Sequence, residues 1–152
     1  MRTRILISAC LAGVNCRYDG GGKSLTELKE LMELAELIPV CPEIVGGLPT
    51  PRTPSERKNG GVVMRDGTDV TAAFRRGAEE TLALAERFGA RIAVLKERSP
   101  SCGSGEIYDG TFTGGKTRGD GVTAELLRKN GMEIYGESRV SELIERLKEG
   151  RI

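Results

Sequence analysis

Short apolar runs alternate with helical stripes along this chain. Arg4-Ile5-Leu6-Ile7, Leu37-Ile38-Pro39-Val40 and Ile92-Ala93-Val94-Leu95 are compact and almost wholly apolar, as strands buried on both faces of a parallel sheet are. Between the first two runs, Leu28, Leu31, Met32 and Ala35 recur at helical spacing. Ser24-Leu25-Thr26-Glu27 precedes them in the form of a capping box, with Ser24 at the N-cap and Glu27 at N3. Strand, helix and strand make a parallel crossover unit. Thr71 is placed to cap a second helix carrying Phe74, Ala78, Leu82 and Ala85, closed by Gly89. A third helix is predicted from Val122 to Asn130 and ends at Gly131. Glu133-Ile134-Tyr135 reads as a last strand, and Val140, Leu143, Ile144 and Leu147 as a terminal amphipathic helix. This alternation predicts an α/β fold over residues 1–152: a single three-layer, Rossmann-like domain with a short, mostly parallel sheet.

Two segments interrupt the pattern. Pro42 to Gly61 holds four of the six prolines and reads as an irregular loop forming a wall, because proline lacks the donor that a helix or strand interior uses. After it, Val62 to Gly67 suggests a short strand entering an Asp-Gly turn, with Thr68-Asp69-Val70 as the returning arm of a hairpin. Lys96 to Gly121 carries seven glycines from Gly103 onward and is expected to be a long Gly-rich loop near the site, since structureless stretches of this length are usually functional or disordered.

Composition narrows the partners. A length of 152 residues supports one core. With 23 Lys and Arg against 22 Asp and Glu, interspersed, there is no global electrostatic case for nucleic acid or an anionic membrane. No apolar run approaches the roughly 20 residues of a membrane-spanning helix. The basic start followed by Ile5 to Cys10 imitates a lipoprotein signal, but the apolar segment falls short of the about 7–15 residues that export needs. A cytoplasmic protein is therefore expected, with a monomer as the default. In that compartment four cysteines suit ligands or reactive thiols better than a disulfide framework.

Cys10 follows the first apolar run, Cys41 the second, and Cys102 follows the third after Ser99-Pro100-Ser101. Parallel strands end on one edge, and ligands bind in the crevice outside it, so these three cysteines are placed to meet. The chain has no histidine, which leaves proton transfer to a carboxylate, thiol, lysine or metal-bound water. Four cysteines can hold a structural zinc, but such sites usually use closely spaced pairs; here the gaps are five, twenty-four and sixty residues. Widely separated thiolates suit an iron–sulfur cluster at least as well. Some of the four could instead be core packing, a weak reading for Cys102 within Ser-Pro-Ser-Cys-Gly-Ser-Gly. Metal-free thiol redox chemistry is disfavoured by the absence of a Cys-x-x-Cys pair.

Four blocks, SACLAGVNCRYDGG, VCPEIVGGLPTPR, DGTDVTAAFRRGAE and ERSPSCGSGEIYDGTF, together resemble the prokaryotic thiouracil desulfidase family over nearly the whole chain. The resemblance implies a [4Fe–4S] cluster held by three cysteines, matched here to Cys10, Cys41 and Cys102, with one iron open to the sulfur of a thiocarbonyl. Cys16 stays open between a fourth ligand, a resting cap on that iron and a nearby thiol. The same blocks carry Glu43 as the proton-transfer group and Ser101 as a hydroxyl that orients substrate. A free thiolated base or nucleoside is expected as substrate rather than tRNA, since the chain lacks the extra domain of tRNA-acting relatives. Tyr18-Asp19-Gly20 and Tyr108-Asp109-Gly110 repeat one tripeptide, either as stacking rings for a planar heterocycle or simply as turns. The alternative to an iron–sulfur desulfidase is a cysteine-ligated zinc-binding protein without catalytic activity.

Overall fold

The computed structural model describes residues 2–152. Four strands, β1 (Arg4–Ser8), β2 (Glu36–Val40), β5 (Ile92–Leu95) and β8 (Glu133–Gly136), form one sheet in the order β2-β1-β5-β8. Every pairing in it is parallel. The sheet is parallel because each strand is apolar on both sides: Ile5, Ile7 and Val94 enter one core, Leu6, Ala93 and Leu95 the other. Helices α1 (Leu28–Leu34) and α5 (Val140–Lys148) cover the first face through Leu31, Leu143 and Ile144. Helices α3 (Thr71–Phe88) and α4 (Val122–Lys129) cover the second through Ala85, Ala124 and Leu127. The three-layer α/β domain follows.

The chain leaves β1 for β2 on one side, then returns to place β5 on the other. The strand order therefore reverses at β1, and the crevice outside its carboxyl end is where an open α/β sheet binds ligands.

Several local expectations change. The capping box does not form: Glu27 is the N-cap of α1 and no side chain caps it. Met32 is 55% exposed, because so short a helix presents only Leu31 fully to the core. Thr71 lies inside α3, behind Val70 at the N-cap, and its hydroxyl accepts the Val62 N–H at 2.9 Å instead. Pro42 to Gly61 is not structureless. It contains α2 (Pro42–Val45), which starts on a proline where a missing donor costs nothing, and strand β3 (Ser55–Lys58). Strand β4 (Gly61–Met64) pairs antiparallel with β3 upstream, while the predicted downstream arm contributes a single bridge, Val63 to Asp69. The glycine-rich stretch is likewise largely a hairpin, β6 (Glu106–Tyr108) against β7 (Lys116–Arg118). A long Gly-rich loop is thus replaced by a folded arm; its glycines serve turns such as Gly105, Gly110 and Gly114, all with positive φ.

Helix α2 sits backbone to backbone on α3. A methyl group on Gly77 would overlap the Pro42 carbonyl oxygen, and one on Gly46 would overlap that of Ala73. Two glycines thus let the segment that begins at Cys41 press against the long helix. Among the described residues no helix is long and apolar enough to cross a membrane.

Candidate iron–sulfur site

A cavity of about 400 Å³ opens at the carboxyl edge of the sheet, lined by all four cysteines. Cys10 stands in the 3-10 turn Ala9–Ala12 that ends β1, and the turn closes on Gly13 at φ 91. Cys41 is the N-cap of α2, directly after β2. Cys102 lies in a turn after β5 in which the Ser99 hydroxyl accepts the N–H groups of Ser101 and Cys102 at 3.0 and 2.9 Å. Cys16 comes from the loop after the first turn, and its carbonyl accepts the Cys41 thiol at 3.8 Å. All four are free thiols. Three expected ligands thus converge because three strands end together, and Cys16 joins them.

Burial pushes the Cys10 thiol up from 9.0 to about 11; neighbouring Cys41 adds to this, while Lys96 and Arg17 oppose it. Cys16 is pushed up to about 12 by burial and by Cys41 and Cys10, with Arg52 opposing. Cys102 is raised by burial, against a hydrogen bond from Ser8. Such thiols stay protonated near neutral pH and inert until a metal takes the sulfur.

The donor set tests what could be held. Sulfur-only ligands select zinc or iron–sulfur clusters. All four sulfurs belong to one cavity, and three of them sit at or just beyond the carboxyl ends of strands of one sheet. Thiolates are the usual ligands of a [4Fe–4S] cluster, so the donor set fits one.

Glu43, in the first turn of α2, lines the same cavity. Its Oε1 accepts the Nε of Arg52 at 3.0 Å. Burial raises its pKa and the Arg52 guanidinium opposes that shift. Ser101 is placed differently from expectation. Its hydroxyl shares a 2.8 Å hydrogen bond with Thr123 on α4, and the residue is 1% exposed. It does not line the cavity, although Cys102, Ser99 and Pro100 do. The hydroxyl is drawn inward because Thr123, itself 0% exposed, needs a partner in a dry interior.

Tyr18 and Tyr108 both line the cavity, and the Asp that follows each shapes a turn, Asp19 accepting the Gly21 N–H and Asp109 the Thr111 N–H. Two cations at the cavity, Arg52 and Lys96, were not singled out from the sequence; Arg52 lies in the stretch read as a proline-rich wall. Lys96 donates its N–H to Ser8 Oγ at 2.9 Å and pairs with Glu137 at 3.1 Å. A cation immediately after a core strand was the available signal. A larger cavity of about 670 Å³ lies between the two hairpins; it contains no cysteine and shares only Arg65 and Phe112 with the first.

A family model described as 2-thiouracil desulfurase matches residues 5–139. The chain is 40% identical over 150 residues to the Bacillus subtilis (strain 168) uncharacterized protein YbbK, covering 92% of this chain and 99% of that one. Among solved structures, the [4Fe-4S]-dependent thiouracil desulfidase TudS superposes with a TM-score of 0.91 at 46% identity, covering 97% of this chain and 99% of that one. The sheet with its cysteine-lined edge and these three matches agree: the chain belongs to the 2-thiouracil desulfurase family.

Proposed function

We propose that this protein is a [4Fe–4S]-dependent desulfidase that converts a thiolated pyrimidine, of thiouracil or thiouridine type, to its oxo form. Cys10, Cys41 and Cys102 are the cluster ligands, and Cys16 stands beside them. The overall exchange balances without net electron transfer: one water enters, its oxygen replaces sulfur on the ring carbon, and the sulfur leaves as hydrogen sulfide. When bound, the cluster supplies an iron that acts as a Lewis acid toward sulfur and weakens the carbon–sulfur bond.

The chain's own residues do the rest. Tyr18 and Tyr108, at the cavity wall, supply aromatic rings on which a planar base can stack. Glu43 takes a proton from the attacking water and returns one as sulfur departs. Its raised pKa suits both roles, because a carboxyl poised nearer neutrality exchanges protons in either direction. Lys96 and Arg17 lie near Cys10 and balance the negative charge that ligated thiolates carry. Ser101 orients substrate through its hydroxyl, which must turn from Thr123 or share its bond with it to do so.

The substrate is a free base or nucleoside, and the compartment is the cytoplasm, where thiols remain reduced. The observation that carries the reading is the convergence of four free cysteines and a buried carboxylate in one cavity. Anaerobic reconstitution with iron and sulfide, followed by a screen of thiouracils and thiouridines for released sulfide, tests it. Iron with acid-labile sulfide and stoichiometric sulfide release are expected. Zinc in place of iron, with no release, would overturn it.

A further inference from the structure

Arg52 is a deeply buried charged group at the site, its side chain only 3% exposed, and its donors reach three separate segments. Nε binds Glu43 Oε1 at 3.0 Å. Nη1 binds the Pro49 carbonyl and the Thr50 hydroxyl, both at 3.0 Å. Nη2 binds the Cys16 carbonyl at 3.0 Å, a stronger contact than the 3.8 Å approach of the Cys41 thiol to the same oxygen. Its own N–H binds the Tyr18 carbonyl at 2.7 Å. Four of the five guanidinium hydrogens are thus committed.

Stability alone is a poor reason for this arrangement. Desolvating a guanidinium offsets most of what a buried ion pair returns, and an apolar replacement of similar volume is often as stable. A rigid planar fork does something an apolar side chain cannot: it fixes several acceptors at set angles to one another. The acceptors here are the carboxylate of Glu43, the Pro49 carbonyl, the Thr50 hydroxyl and the Cys16 carbonyl; the Tyr18 carbonyl is held by the backbone N–H of Arg52 instead.

We propose that Arg52 is the positioning residue of this site, acting through Glu43 and through the Cys16–Tyr18 loop. Its side chain aims the carboxylate into the cavity and keeps Cys16 against the wall. The assignment of turnover effects rests on the desulfidase reading above; the anchoring of the loop does not.

Arg52→Met and Arg52→Lys in the 152-residue chain test both halves. In the cluster-free protein, peptide-mapped alkylation by N-ethylmaleimide should accelerate at Cys16 by about tenfold or more in Arg52→Met, because a released loop opens more readily. Cys102, held by its own turn, should react at the unchanged rate. Lysine should not restore the slow rate, since one ammonium cannot span the same acceptors. In the reconstituted enzyme, kcat for sulfide release should fall by about tenfold or more with KM held within about twofold. Adding Arg52→Met to Glu43→Gln should cost clearly less kcat than it does in the wild-type background and should still expose Cys16, as coupled residues do.

An unchanged Cys16 rate, or an equal rise at Cys102 from general loosening, overturns the anchoring. Fully additive kcat losses overturn action through Glu43. If the wild-type protein releases no sulfide from any thiopyrimidine, the desulfidase reading falls, and the alkylation pattern alone decides the role of Arg52.

Discussion

The Nε of Arg52 lies 3.0 Å from Oε1 of Glu43, and the cation is the more buried partner, 3% exposed against 17%. The carboxylate is therefore pulled two ways: burial raises its pKa, the guanidinium lowers it, and burial is the larger effect. Protonated Glu43 persists to higher pH than an ordinary glutamate. The acidic limb of the turnover profile should accordingly lie above the usual carboxylate range. Glu43→Gln should keep its iron, lose that limb, and lose turnover by about a hundredfold or more, the usual size of a general acid–base contribution. Sulfide release across pH, beside an iron assay, checks both points.

Replacing each cysteine by alanine should separate ligands from neighbours. Cys10 stands in the turn that ends β1, Cys41 directly follows β2, and Cys102 is fixed in the hydrogen-bonded turn after β5, whereas Cys16 lies on a loop. Alanine at any of the first three should abolish stable iron binding, and Cys16→Ala should retain it. Equal loss of iron in Cys16→Ala and Cys41→Ala would mean a closed four-thiolate site with no open iron for substrate.

Cluster loading should favour rising pH. Cys10, at about 11, is protonated near neutrality, so ligation must release its proton, and each proton released strengthens binding by up to about tenfold per pH unit. In the cluster-free chain the sign reverses. A thiol whose pKa is raised from 9.0 to about 11 on folding contributes fully below 9.0 and loses its contribution as pH rises toward 11. Urea midpoints of the cluster-free protein should fall across that window, and less so in Cys10→Ala.

Gly77→Ala has an informative sign. In an ordinary helix interior the change would add up to about 1 kcal/mol of stability. Here the new methyl meets the Pro42 carbonyl, and overpacking typically costs about 1–3 kcal/mol. Destabilisation is expected, together with lower iron content, because pushing α2 away moves Cys41. Thermal melting and iron assay of the variant measure the two effects.

Ser101→Ala should destabilise the fold by about 1–3 kcal/mol, the cost of leaving the buried Thr123 hydroxyl without its partner. Combining it with Thr123→Val should recover most of that loss, since removing both ends of a buried pair can be nearly neutral. Chemical denaturation of the two single variants and the double reads this directly.

What the sequence determined by itself was set by local periodicity and by strand ends. Runs such as Ile5 to Ile7 and Ile92 to Leu95 are apolar on both faces, and only a covered parallel sheet buries both; that placed Cys10, Cys41 and Cys102 on one edge before any coordinate was known. Helix α3 and its Gly89 stop were legible for the same reason, because long amphipathic periodicity survives its context. The tertiary structure decided whatever depended on partners distant in the chain. β3 exists because β4 offers it a ladder, not because Ser55–Lys58 has strand periodicity. Ser101 turns inward because Thr123, twenty-two residues on, needs its hydroxyl. Arg52 matters because folding surrounds it with Glu43 and the Cys16 carbonyl, and a buried guanidinium takes its meaning from the acceptors it meets. A hydrogen-bond partner carries no local signature in a sequence, and neither does the backbone contact through which Gly46 and Gly77 seat α2 beside the cysteines.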